Sequence, residues 1–422
     1  MPSRQGEVGA ADQVASRASP YQKRQEAILG RGKMSLGTIL GVADRAGMTA
    51  SPPPGVSCRI LAIVGDAFGG HGGIAQYNRD FLSALVNCGS VDEIVVVPRL
   101  APGALGTLPS GVRQLPPVGA RVGYVLTVLW ALFAHRPIHL IFCGHVLMVP
   151  LAAVMARVLG VPLWLQVHGI EVWKELSTLH RRAIESASLV TAVSRYTKHR
   201  MLEWVGIEPY RVKVLPNTVD PRYSPGPKPE YLLERHALYG RRVLLTVARL
   251  AASQQHKGHD RVLGTMARVL ARHHDTSYLI VGGGDDRPRL EALAREYGVS
   301  GNVQFAGMVP AQELPDYFRL ADVFVMPSVG DGFGIAFLEA AATGIHVIGG
   351  NRDGSRDALC DGALGTLVDP DNLEELAAAI EAALDNTART IDRTDRFKRE
   401  RFVSHVDALY QFCVSRCAAK TE

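Results

Sequence analysis

"VLPNTVDPRYSPGPKPEY", Val214 to Tyr231, holds five prolines in eighteen residues and cuts the chain in two. Proline fixes φ and removes a backbone donor, so a stretch this dense reads as a linker. On its N-terminal side stand "RILAIVG", "DEIVVVPRL", "IHLIFCG", "LWLQVHG" and "LVTAVS", short β-rich runs with helical patterns such as Gln76–Val86 and Val146–Leu159 among them. On its C-terminal side the alternation starts again with "RRVLLTVARL", "SYLIVGGG", "NVQFAG", "DVFVMPS" and "IHVIGG". Strands that alternate with helices predict a parallel sheet covered on both faces. The pattern predicts two doubly wound α/β domains, 56–220 and 238–390, followed by a C-terminal helix, 391–422, expected to pack back toward the first domain. In such sheets ligands bind beyond the carboxyl ends of the strands, so two facing domains enclose a cleft.

Composition agrees. A chain of 422 residues is too long for one ordinary core. With 47% hydrophobic and 21% charged residues it has the make-up of a soluble globular enzyme. The net charge is +5, but residues 1–50 hold seven basic residues against four acids, which leaves +2 for the remainder and no basic stripe for nucleic acid. The six cysteines are scattered and form no metal-type pair, so they read as free thiols in a reducing compartment. Residues 1–55 are polar, lack clear periodicity and end in "TASPPPG", which reads as a disordered extension; Met48 is a second candidate start. The N-terminus shows no signal peptide, and a cytosolic chain is expected. Ile138–Ala156 lacks formal charge, but His139, Gly144, His145 and Pro150 interrupt it, so it reads as strand then loop and not as a membrane span.

Four strand ends carry chemistry. "GDAFGGHGGIAQYNRDFL" crowds Gly69, Gly70, Gly72 and Gly73 into the turn before a helix, where backbone N–H groups meet phosphate. Gly70, Gly72 and Ala75 also match the dinucleotide pattern. That turn is longer than a dinucleotide turn, however, and the second strand ends "VVVPRL" with no acid for a ribose. A flexible loop is the other reading. "QVHGIEVW" puts His168 just past a strand, as a core residue or a ligand contact. "VARLAASQQHKGHD" offers Arg249 and Lys257, two cations suited to a diphosphate or to plain solvation. "VGGGDDRPRL" puts Gly283 where a ligand could approach closely. Finally, "SVGDGFGIAFLEAAATG" begins a helix after "DVFVMPS". Its N-terminus, near Gly334, suits a phosphate; Asp331 can accept from sugar hydroxyls. Glu339, eight residues later on about the same helix face, can accept from a ribose diol.

Together these residues resemble the retaining glycosyltransferases of family 4, whose GT-B fold sets two Rossmann-like domains around a cleft. That family's E-x7-E motif is similar to Asp331 and Glu339 here, with Asp in place of the first Glu. Its glycine-rich first loop resembles "GGIAQY", its His-Gly resembles "QVHGIE", and its phosphate clamp resembles Arg249 and Lys257. The likeness runs from about residue 58 to "RFVSHVDALY". The family's Gly-Gly-x-x-Glu turn is replaced by "GGNRDGSRDAL", with Asp357 nearest the acid position. The resemblance implies transfer of mannose or another hexose from a nucleotide-diphosphate sugar to a glycan or lipid-linked acceptor, with retention. It implies His168, Asp331, Arg249 and Lys257 as catalytic residues. Gly72, Gly73, Gly283, Phe333, Gly334, Ile335 and Glu339 join the two cations around the donor. It further implies no metal or cofactor, a cytoplasmic location with peripheral membrane contact, and a role in cell-surface polysaccharide or glycolipid synthesis. The alternatives are a nucleotide-sugar epimerase, an NAD-dependent oxidoreductase and a non-catalytic sugar-nucleotide-binding protein.

Overall fold

The computed structural model describes residues 58–388 and 393–418. The expected N-terminal extension, 1–55, lies outside them.

The first sheet is built from β1 (Cys58–Val64), β2 (Val91–Pro98), β3 (Val112–Gln114), β4 (Leu140–Cys143), β5 (Leu163–Val167), β6 (Leu189–Ala192) and β7 (Val212–Val214). Its helices are α1 (Gly73–Leu85), α2 (Arg121–Ala134), α3 (Val149–Leu159), α4 (Thr178–Ser186) and α5 (Arg195–Leu202). The second sheet holds β8 (Arg242–Val247), β9 (Thr276–Val281), β10 (Val303–Gly307), β11 (Val323–Met326), β12 (His346–Gly350) and β13 (Thr366–Val368). With it go α6 (Glu230–Arg235), α7 (His259–Arg272), α8 (Arg287–Glu296), α9 (Leu314–Leu320), α10 (Ile335–Ala342), α11 (Ser355–Ala358) and α12 (Leu373–Asp385). The last helix is α13 (Arg399–Ala418).

The sheet orders are β3-β2-β1-β4-β5-β6-β7 and β10-β9-β8-β11-β12-β13, and all pairs are parallel. The order reverses between β1 and β4 in one sheet and between β8 and β11 in the other. These switch points are where open α/β sheets bind ligands. Central strands such as β5, β9 and β11 are buried throughout, as both covered faces require. In β1 the period of two sends Leu61 and Ile63 into a core with α2 and α3. Ile60, Ala62 and Val64 join a second core with α1. That second core continues into the other domain through Tyr223, Phe333, Phe337 and Phe397. A third core lies beneath α7 and α12.

One boundary differs from expectation. The proline-rich stretch begins within β7, and its far end is structured. Lys228 pairs with Asp322 at 2.6 Å, and Arg319 donates to Ser224 O at 3.0 Å, so the second domain gathers residues well before 238. After α12 the chain returns to the first domain. Phe402 of α13 packs its ring edge-on to Tyr77 of α1 at 6.1 Å, and Ser90 Oγ donates to the Tyr410 hydroxyl at 3.1 Å. The uncharged stretch Ile138–Ala156 is β4, a tight turn and most of α3. No helix among the described residues is long and apolar enough to cross a membrane.

Candidate active site

Three strand ends of the first sheet converge. After β1 the glycine loop runs to Gly72, whose φ of 87° opens α1 at Gly73. Asp66 lies at the base of this loop, its carboxyl pushed up by burial against the pull of Arg79, His145, His71 and Arg249. Arg249 belongs to the other domain, so this attraction acts between domains. After β4 comes His145, whose Nδ1 accepts from Leu147 N at 3.2 Å. After β5 comes His168. Its Nε2 is 2.9 Å from Gly144 O, so that nitrogen carries the proton and Nδ1 is an acceptor. Burial drives the ring's pKa down to about 4, so it is neutral at physiological pH.

The second sheet answers with three more. Arg249, just past β8, is exposed and makes no salt bridge among the described residues. Lys257 stands before α7, and its Nζ pairs with Asp331 Oδ1 from the loop after β11. Burial opposes the Asp331 charge, but the Lys257 ammonium outweighs it and holds the carboxyl below its ordinary range. The Asp331 N–H donates to Asp353 Oδ2 at 2.7 Å, which fixes the turn. Burial, with the like charge of Asp331, pushes the Asp353 carboxyl up to about 6. Gly334, left-handed at φ 86°, starts α10, and the Ile335 side chain reaches the Gly73 backbone of the first domain. Glu339 is buried on α10 beside Tyr223, whose hydroxyl favours its charge. Burial prevails and raises it to about 7.

The two halves touch at a point no side chain could occupy. A Cβ on Gly332 would sit 1.7 Å from His168 O, and one on Gly169 2.5 Å from Gly332 Cα. Thr197 Oγ1 donates to Gly332 O at 3.4 Å alongside. Arg195 at the start of α5 then grips Asp357 at 2.7 Å and Asp361 at 2.8 Å across the domain boundary.

The comparisons with known proteins follow this division. A family model described as Glycosyltransferase Family 4 matches residues 71–223, and one described as Glycosyl transferases group 1 matches residues 234–401. A GDP-mannose-dependent alpha-(1-6)-phosphatidylinositol monomannoside mannosyltransferase from Mycobacterium tuberculosis is 30% identical over 352 residues, covering 79% of this chain and 91% of that enzyme. The chain is a family 4 glycosyltransferase. The Mycolicibacterium smegmatis enzyme of the same description is 34% identical over 50% of this chain and 58% of its own length. Sucrose-phosphate synthase from Thermosynechococcus elongatus superposes with a TM-score of 0.66 at 21% identity, over 84% of this chain and 98% of that one, which shows the shared GT-B fold.

Within this glycosyltransferase the expected residues are placed unevenly. Arg249, Lys257, Asp331, Gly334, Ile335, His168, Gly72 and Gly73 all lie at the strand ends where the domains meet. Three others have structural duties. The Phe333 ring packs against Phe397 at 5.8 Å, which leaves its backbone alone for a ligand. Gly283 lies under Met308, while Gly282 (φ 142°) and Gly284 (φ 155°) admit the carbonyls of Ala248 and Leu250. The glycine run therefore serves backbone packing between two loops as much as any ligand. Asp357 pairs with Arg195, and Asp353 supports the Asp331 loop. Sequence reasoning also passed over Asp66 and Tyr223. The acid in "VGDAFGG", directly after β1, was a usable signal; nothing local marked Tyr223.

Proposed function

We propose that this glycosyltransferase moves mannose from GDP-mannose to a lipid-linked or glycan acceptor, with retention and without a metal ion, at the inner face of the membrane in glycolipid or surface-polysaccharide synthesis. One observation carries the reading: Arg249, the Lys257–Asp331 pair, the open start of α10 and Glu339 converge on the strand ends of the second sheet. Arg249 and Lys257 receive the diphosphate, joined by the N–H groups near Gly334. Each fixed donor of this kind contributes about 2–4 kcal/mol to a developing anionic leaving group. With Asp331 beside it, Lys257 is a cation kept in place and balanced until the diphosphate shares it. Asp331 then accepts from hydroxyls of the transferred sugar, and Glu339 accepts from the ribose. Neutral His168 presents Nδ1 to the sugar as a hydrogen-bond acceptor. The sugar C1–phosphate oxygen bond breaks as the acceptor oxygen bonds C1 on the same face, and the acceptor proton passes to the leaving phosphate. Support for mannose and GDP comes from the names of the mycobacterial relatives.

The test is a donor screen with GDP-, UDP- and ADP-hexoses on a mannosylated lipid acceptor, with the product's anomeric configuration read by NMR. GDP-mannose should be turned over with retention, in EDTA as well as without it. An inverted product or a strict Mg²⁺ requirement overturns the mechanism, and preference for another donor overturns the sugar.

A further inference from the structure

Asp353 stands in the turn after β12 and is fully buried, 0% exposed. Its two oxygens serve two backbone donors. Oδ2 accepts from the Asp331 N–H at 2.7 Å, and Oδ1 accepts from the Ser355 N–H at 2.9 Å. A buried carboxylate is costly, and an uncharged side chain of the same size would fill the space. What only the carboxylate supplies is an acceptor on each branch. In Asn one branch is an NH2 group, a donor that would face an N–H donor.

The next residue completes a clamp on Asp331. Gly354 N–H donates to Asp331 O at 2.9 Å, so both backbone polar groups of Asp331 are held by residues 353 and 354. The approach leaves no room for a side chain: a Cβ on Gly354 would lie 2.0 Å from Gly332 O. At the tip of the Asp331 side chain, Oδ1 is held by the Lys257 ammonium. Three fixed points leave one atom uncommitted. The Ser328 hydroxyl also favours the charge of this carboxyl, yet Oδ2 is buried and has no hydrogen-bond partner among the described residues. A charged oxygen in a protein interior needs a donor, and a hydroxyl hydrogen is the one it lacks.

We propose that Asp353 is the positioning residue for the transferred sugar: touching no ligand itself, it fixes the Asp331 backbone so that Oδ2 takes its hydrogen bond from one sugar hydroxyl and not from the neighbouring ones. This role rests on the assignment of Asp331 to the sugar. It acts only through Asp331, and so is separable from the diphosphate clamp of Arg249 and Lys257. It also carries a dependence on pH. Burial and the like charge of Asp331 raise the Asp353 carboxyl to about 6. The charged and titratable groups around it are Asp331, with Lys257 and His256 behind it, and Tyr196 of α5. Above that pH both N–H bonds are made. Below it a proton on one oxygen faces a donor, so one bond is lost, as in Asn.

The experiment compares Asp353→Asn, Asp331→Asn and the double variant in transfer from GDP-mannose and its deoxy analogues, or from whichever donor the screen selects, beside calorimetry of free GDP. Asp353→Asn should lose about tenfold or more in kcat, the weight of one charge-assisted hydrogen bond, and bind free GDP within about twofold of wild type. Wild type should reject one deoxy analogue most, and that preference should shrink in Asp353→Asn as it does in Asp331→Asn. The double variant should be no more than about twofold slower than Asp331→Asn, because both changes remove the same contact. Wild type itself supplies a readout that no folding defect can blur. Its kcat at saturating donor should fall as pH drops through about 6, whereas that of Asp353→Asn should stay low and level. Losses that multiply in the double variant overturn the role of Asp353 and leave that of Asp331 standing. So does a GDP affinity that falls as far as kcat in Asp353→Asn, or a wild-type kcat that is level from pH 5 to pH 8. Full turnover by Asp331→Asn overturns both roles.

Discussion

At the scale of single residues, two carboxylates share a helix start and differ in what surrounds them. Asp331 is charged and paired with Lys257 before any ligand arrives. Replacing it with Asn frees the ammonium, so free GDP should bind Asp331→Asn at least as tightly as wild type. Turnover should fall about tenfold or more, because the sugar loses its positioning acceptor. Calorimetry beside transfer kinetics checks this, and a matched loss in both would refute the separation of roles. Glu339 is the opposite case, its carboxyl raised from 4.5 to about 7 by burial. Between those values the folded protein holds a proton that the unfolded chain has released, so this group's contribution to stability is greatest at low pH. It declines as pH rises through the window. Glu339→Gln removes the titration, and its melting temperature should gain on wild type at pH 8 relative to pH 5. A ribose diol needs the charged carboxylate, so wild-type GDP affinity should rise between pH 6 and 8, while that of Glu339→Gln stays flat.

At the scale of elements, the decisive contact is between loops. The turn after β11 presses Gly332 onto the His168 carbonyl after β5, with no room for a methyl. Gly332→Ala should force the strand ends apart while each sheet keeps its own core. The expected result is a loss of about tenfold or more in turnover with little change in melting temperature, since a small displacement of reacting groups is costly. Small-angle scattering should show a larger radius of gyration than wild type; an unchanged radius with full activity would show that this approach is dispensable. The element α13 was legible as a final helix in "RFVSHVDALY" that packs back toward the first domain, but the side chains it meets there were not. Phe402 meets Tyr77 of α1, more than three hundred positions earlier, and Tyr410 meets Ser90 just beyond it.

For the whole molecule, closure is held by Arg195 with Asp357 and Asp361 as well as by Gly332. Arg195 and Asp361 are nearly half exposed, so these pairs contribute about 0.2–1 kcal/mol each and weaken in salt. Arg195→Ala should therefore raise the KM for the donor a few-fold, leave kcat within about twofold, and make the enzyme less sensitive to added salt. A collapse of kcat would mean that Arg195 does more than hold the domains together.

The sequence by itself determined the two parallel sheets, because strand runs and helical periodicity are local properties that each segment carries with it. It also marked Arg249, Lys257, Asp331 and Glu339, because a cation or acid just past an apolar strand, or spaced along one helix face, needs only short-range geometry to be recognised. Only the tertiary structure decided who meets whom. Lys257 and Asp331 are 74 positions apart, and Arg195 and Asp357 are 162. Asp353 and Asp357 sit four residues apart in one short segment, yet one turns under the Asp331 loop and the other reaches across to α5. Long-range partners depend on how loops superpose when both sheets and their cores are complete, and no local pattern encodes that. The same holds for α2: its sequence is apolar on every side, and only the packed first sheet reveals which side it covers and which it leaves facing out.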